Sequence, residues 1–313
     1  MQIDSFHKLD HDLFYSLKEE LIRLRSCWYM IEKIHVMANG VKIVGDLYLP
    51  EGNQGKIPAV IMAPGFGGVK EMLIPYYAKA LLKKNIATLA IDYPNFGESE
   101  GKPRQHIDIK SHHASYYSAL DYLVSDTRFD SNRLGIWGSS LSGGHSLVVA
   151  ATDNRVKSIL AIIPYISPPL QAVPALAGKV FLDLFLRKIG FKGGVLPIAG
   201  RPGEMAAMNT DGAWEWMQEM TSESPNFENY VTLASLLQMT FYRTSSYAKK
   251  IKRPLKVILA IEDTITPAKL VKKAIEKIPN VAIEEYQETH FELFREHLNS
   301  TVESTALWFS ETL

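Results

Sequence analysis

The stretch GIWGSSLSGGHS, residues 135–146, holds four serines framed by glycines. Its reading decides the fold. LGIW (134–137) is a short apolar run of strand type, and SLSGGHSLVVAA then turns helical. The local order is therefore strand, sharp turn, helix. Ser140 stands at the apex, in Gly138-Ser139-Ser140-Leu141-Ser142. The flanking positions must be small because strand and helix nearly touch there. Such a turn strains Ser140 and pushes its Oγ into the open. It also sets the residue at the positive end of the helix, where the Leu141 N–H can face a developing oxyanion. Ser139 belongs to the strand, Ser146 to the helix interior. Ser142, in the first helical turn, is expected to help cap the amides.

Working outward, short apolar runs alternate with helical stretches. The runs are AVIMA (59–63), IATLAI (86–91), LGIW (134–137), SILAII (158–163), LKVILAI (255–261) and VAIEEY (281–286). Continuous apolar strands separated by helices imply a parallel sheet covered on both faces. The intervening helices carry the expected stripe, with Ala119, Leu120, Leu123 and Val124 on one face of SYYSALDYLVSD. Ahead of them, WYMIEKIHVMANGVKIVGDLYLP reads as an antiparallel hairpin turning at Asn39-Gly40. One gap breaks the alternation. About ninety residues separate SILAII from LKVILAI, far more than a crossover needs. Residues 164–250 are expected to be an inserted helical cap without a clear strand. The core is expected at 1–163 and 251–313, with an amphipathic N-terminal helix at 8–26.

Composition excludes several classes. Lys+Arg and Asp+Glu number 34 each in 313 residues, so neither a nucleic-acid footprint nor a polybasic membrane patch is expected. Cys27 is the single cysteine, which excludes an internal disulfide, and it reads as a small buried apolar residue. The N-terminus lacks a secretory h-region, and the longest apolar stretch is broken by Pro174, Lys179 and Asp183. The expectation is a soluble cytoplasmic protein without membrane insertion. Zinc spacings and a phosphate-binding G-x-x-x-x-G-K-[ST] loop are both missing, so no metal and no cofactor is expected.

G-x-S-x-S is a variant of the G-x-S-x-G nucleophile elbow. A serine hydroxyl needs a base to attack at neutral pH, and the base needs an orienting acid. On this architecture the partners should follow in the order acid, then histidine, each just after a later strand. After LKVILAI comes Glu262-Asp263-Thr264-Ile265-Thr266-Pro267, and after VAIEEY comes Gln287-Glu288-Thr289-His290. Asp263 and His290 are the candidates, with Glu262 as fallback acid. Singly, Asp263 can cap the helix starting near Pro267, and His290 can merely pack. Their order and strand-end placement single them out. After AVIMA, Pro64-Gly65-Phe66-Gly67-Gly68 lets backbone N–H groups approach a substrate, with Phe66 as the second oxyanion donor. The other histidines fare worse. His112 and His113 are adjacent on a helix and should face different ways. His145 reads as core or packing behind the site, and His297 as packed or solvent-facing.

The pieces APGFGG, DYPNFGESEG (92–101), GSSLSGGH, EDTITP and THFELF resemble the α/β-hydrolase superfamily, from about residue 30 to the end. APGFGGVKEM, DYPNFGESEGKPR and WGSSLSGGH are similar to dienelactone-hydrolase-like enzymes and polyketide transferases. The resemblance implies an α/β-hydrolase fold and a triad of Ser140, Asp263 and His290. It implies ester or thioester hydrolysis, or transfer of an acyl chain from a thioester to an alcohol. Two departures stand out: Ser142 replaces the usual elbow glycine, and Pro64-Gly65 replaces the common His-Gly. The expected partner is a small-molecule acyl substrate, either free or as a carrier-protein or CoA thioester. A homodimer is left open, and a catalytically silent binding protein is the contrasting reading. In the cap, Trp214, Trp216 and Met217 are candidate acyl contacts, and Met205, Met208 and Met220 could extend an apolar tunnel.

Overall fold

The computed structural model describes residues 29–52, 55–167, 178, 183, 193–279 and 281–313. The expected helix at 8–26, Cys27 and most of 168–192 lie outside them. Among the described residues, eight strands form one sheet in the order β1-β2-β4-β3-β5-β6-β9-β10. The hairpin comes first. Tyr29–Ala38 (β1) and Val41–Pro50 (β2) pair antiparallel. Asn39 and Gly40 both take positive φ, 51° and 78°, as the two-residue turn that matches strand twist requires.

Ile57–Ala63 (β3) and Ala87–Ile91 (β4) are buried at every position. Coverage on both faces is why they read as unbroken apolar runs. Phe129–Ser139 (β5), Val156–Ile162 (β6), Leu255–Ala260 (β9) and Val281–Tyr286 (β10) continue the parallel part of the sheet. β4 sits between β2 and β3 and pairs with both.

Two groups of helices cover the sheet. Ile74–Leu82 (α1) packs on Leu298–Thr312 (α9). Ile109–Ser125 (α2) packs on Leu141–Thr152 (α3), which rests on β5 and β6. Side-chain alternation along β5 serves both. Trp137 lies 4.7 Å from the Tyr77 ring of α1, while a Cβ at Gly138 would fall 2.2 Å from the Ser142 carbonyl oxygen of α3. Only glycine permits that approach. Trp137, Tyr77 and Phe309 are each fully buried, and burying a side chain of this kind contributes roughly 1.5–3 kcal/mol.

Between β6 and β9 the chain leaves the sheet. Its described part holds Ala213–Ser222 (α4), Leu233–Phe241 (α5) and Ser245–Ala248 (α6). It also holds a two-stranded ladder, Val195–Leu196 (β7) against Val231–Thr232 (β8). The sequence reading expected no strand there. Each partner is two residues long, too short for an alternation to register. After β9 come Ala268–Ile275 (α7), β10, Glu292–Glu296 (α8) and α9. Because β3, β5, β6, β9 and β10 run parallel, the segments following them gather at one sheet edge, where ligands bind in open α/β sheets. Among the described residues no helix is long and apolar enough to cross a membrane.

Candidate active site

Ser140 follows the last residue of β5 and precedes α3, with φ 54° and ψ −117°. A non-glycine residue there costs on the order of 1–3 kcal/mol, which the surroundings must supply. Hydrogen bonds hold the backbone. The Ser140 N–H donates to the Ile162 carbonyl at 2.9 Å, and the Ser140 carbonyl accepts from Gly144 N at 3.1 Å and Tyr165 N at 2.9 Å. Ser142 acts differently from the expected amide cap. Its Oγ accepts from Ser139 N at 2.8 Å and donates to the Ser139 carbonyl at 2.9 Å. It thus ties the first helical turn back to the strand end. A serine fits at the usual glycine position because its hydroxyl satisfies both backbone groups.

Asp263 and His290 meet. The His290 Nδ1 lies 2.6 Å from Asp263 Oδ2, and both side chains are buried. Asp263 also accepts from Ile265 N and Thr266 N, each at 2.7 Å on Oδ1, and from Thr266 Oγ at 2.7 Å on Oδ2. Burial pushes the Asp263 carboxyl up, but the charge of His290 and these donors outweigh it and hold the group below its ordinary range. An ionised Asp263 can only accept, so the hydrogen bond to His290 is donated by Nδ1–H. Thr266, which holds this carboxylate through its N–H and its hydroxyl, was not singled out by the sequence reading. An Asp-x-x-Thr turn is a local signal that could have found it. Glu262, the fallback acid, is exposed, and its backbone N–H donates to the Glu288 carbonyl at 3.0 Å.

Ser140 and His290 line one cavity, which encloses about 550 Å³ of space, including the part open to solvent. Phe66 lines it, as does Gly65. The Leu141 side chain is buried in the core instead, so only its backbone N–H, at the first position of α3, is available to the site. The remaining wall is apolar and includes Met72, Met208, Trp216, Met217 and Phe294. Trp216 and Met217 thus both line the cavity. Trp214 is half-buried. It lies outside the lining, and the Arg201 guanidinium sits 5.0 Å from its ring centre. The helical period explains this: Ala213, Met217 and Met220 form the buried face of α4, and position 214 is rotated about 100° from 213. Met205 is exposed, and Met220 is buried outside the lining. Arg295 of α8 reaches Glu219 of α4 at 3.1 Å, joining the excursion to the segment that follows His290.

A second imidazole cluster lies behind the elbow. His145 Nε2 is 3.2 Å from His112 Nδ1, and its Nδ1 is 3.1 Å from His113 Nε2 and 2.7 Å from the Tyr242 hydroxyl. Adjacent His112 and His113 were expected to face different ways. They converge because His145 projects between them and offers one ring nitrogen to each. Burial pushes all three imidazoles down, His113 to about 4 and His112 and His145 well below their ordinary value. His297 pairs with Glu288 at 3.1 Å. Among the described residues no cluster of His, Cys, Asp or Glu is arranged to hold a metal ion.

A mostly parallel sheet covered on both faces, with a strained serine at a strand–helix turn and a His–Asp pair whose imidazole lines the same cavity, defines a class. The chain belongs to the α/β-hydrolase superfamily. The family model described as PET hydrolase-like matches residues 20–174. The chain is 31% identical over 264 residues to the quorum-quenching protein AidA of Acinetobacter baumannii, spanning 82% of this chain and 86% of that one. It is 28% identical over 264 residues to thiohydrolase aneE of Aspergillus aculeatus, covering 80% and 82% of the two chains. To polyketide transferase ATR5 of Stachybotrys chlorohalonatus it is 29% identical over 212 residues, 64% and 68% of the two. Among solved structures, DcsB in complex with its substrate analogue superposes with a TM-score of 0.80 at 25% identity, over 90% of this chain and 99% of that one.

Proposed function

We propose that this chain cleaves carboxylic thioesters or esters through an acyl-Ser140 intermediate. The observation that carries the reading is the buried His290–Asp263 pair at 2.6 Å, whose imidazole lines the same cavity as the strained Ser140. In the proposed cycle, His290 Nε2 takes the Ser140 proton as Oγ attacks the acyl carbonyl. The oxygen that becomes negative accepts from the Leu141 and Phe66 N–H groups. Collapse expels the thiol or alcohol, which leaves with the proton held by His290. Water then attacks acyl-Ser140, again losing its proton to His290, and release of the acid restores the serine. Asp263 holds the ring in the Nδ1–H tautomer and stabilises the imidazolium.

The apolar wall supports a medium or long acyl group as substrate, carried by an alcohol, CoA or a carrier protein. Residues 164–250 serve in this reading as the cap over that acyl chain, and the setting is cytoplasmic. The named thiohydrolase and transferase relatives favour the thioester and keep transfer to an alcohol as the second reading. A fluorophosphonate probe should add its mass to the Ser140 peptide. Ser140→Ala should lose both the label and turnover of a decanoyl thioester, by about 10⁴-fold or more. Full turnover by the alanine variant would rule the reading out. Product analysis with and without an alcohol separates hydrolysis from transfer.

A further inference from the structure

Lys70 belongs to the loop that follows β3, four residues past Phe66, and its side chain is fully buried. Lysine is almost never buried unless paired. Here the pairing is dense. Lys70 Nζ lies 3.1 Å from Asp92 Oδ2 and 3.7 Å from Asp46 Oδ2, and it contacts the Glu98 carboxylate. Lys33 joins from β1, 2.7 Å from Asp46 and 2.5 Å from Glu98. Two ammonium groups thus face three carboxylates. Burial alone would pull the Lys70 ammonium down, but Asp92, Glu98 and Asp46 outweigh it and keep the group charged.

Asp92 grips the main chain as well. Its Oδ1 accepts the Lys70 backbone N–H at 2.7 Å, and its Oδ2 accepts Glu98 N at 3.0 Å. Gly97 makes room for this carboxylate, since a Cβ there would fall 2.2 Å from Oδ2. The loop carrying Phe66 is therefore anchored at both ends. β3 holds its start in the sheet, and Asp92 holds its exit by one main-chain and one side-chain bond. Between these anchors stand Gly65, Gly67 and Gly68. Glycines give the loop freedom that a precise N–H donor cannot tolerate, so the anchors must remove it.

We infer that Lys70 and Asp92 are positioning residues that fix the Phe66 N–H where the oxyanion forms, an inference that rests on the acyl-Ser140 reading. The test compares native enzyme, Lys70→Met, Lys70→Arg and the double variant Lys70→Met with Asp92→Asn on a decanoyl thioester. A misplaced oxyanion donor should lower kcat about 10²-fold in Lys70→Met. KM should change by less than about threefold, because ground-state binding does not use the donor. The acid limb of the pH–rate profile should stay in place, because His290 and Asp263 are untouched. An alkyl boronic acid, which forms a tetrahedral adduct on the serine, should lose affinity by a factor similar to the kcat loss. Lys70→Arg, which keeps the charge, should recover part of the rate. If Lys70→Met leaves Asp92 uncompensated and fails to fold, the double variant removes both charges and carries the same readouts. Native kcat in either folded variant would overturn the positioning role while leaving the acyl-serine reading intact. Native enzyme with neither turnover nor a Ser140 adduct would overturn both.

Discussion

His290 and His145 are both buried imidazoles close to the elbow, yet their surroundings differ in kind. His290 has a carboxylate at 2.6 Å on Nδ1. His145 has His112, His113 and the Tyr242 hydroxyl, all neutral groups. A proton arriving on His290 is met by negative charge. One arriving on His145 would be an uncompensated buried cation, and burial pushes that imidazole well down accordingly. In the proposed cycle the same side chain thus serves as a proton carrier at one place, and at the other it packs and forms hydrogen bonds. The neighbour decides which.

The strongest way to break this contrast is to take the charge from behind His290. Asp263→Asn should lower kcat by about 10⁴-fold, because an amide at that site favours the wrong ring tautomer. Steady-state rates on a decanoyl thioester at pH 7.5 would check it, and a loss below tenfold would erase the distinction drawn here. Thr266→Val probes the same carboxylate more gently. It removes the Oγ donor at 2.7 Å from Asp263 and should cost roughly tenfold in kcat, about 1.4 kcal/mol. The smallest effect on rate belongs to the other cluster. His113→Asn should turn over within about threefold of native enzyme, yet it should change how stability depends on pH. His113 is pushed to about 4 in the native chain and lies near 6.5 when unfolded. Between those values the unfolded chain binds a proton that the native state refuses. Its contribution is intact above pH 6.5 and is lost as pH falls towards 4, by on the order of 3 kcal/mol. Urea midpoints across that window should fall less steeply in the variant.

Much of this was legible in the sequence, for reasons specific to each part. β3 and β4 were readable because burial on both faces leaves them almost wholly apolar, with Thr88 as the one hydroxyl-bearing side chain. Asp263 and His290 were readable because each follows a strand directly and fold topology orders them. The insertion of β4 between β2 and β3 was not, since strand neighbours far apart in sequence leave no local mark. Nor was the convergence of His112 and His113 on His145, which depends on a ring supplied by another helix. Trp214 lies off the cavity lining because the phase of α4 puts Ala213, Met217 and Met220 on the buried face, which aromatic character alone does not reveal. Lys70 carries no local signal in the sequence, because its partners come from β2 (Asp46) and from the loop after β4 (Asp92 and Glu98).

The positive φ of Ser140 restricts which amino acids can stand there. A β-branched side chain is a true outlier at such angles, so threonine is barred although it carries the same hydroxyl. Among hydroxyl- and thiol-bearing nucleophiles, the exchange that keeps an unbranched Cβ and the length of the side chain is cysteine. Substitution at this one residue is thus limited by stereochemistry before reactivity is ever tested.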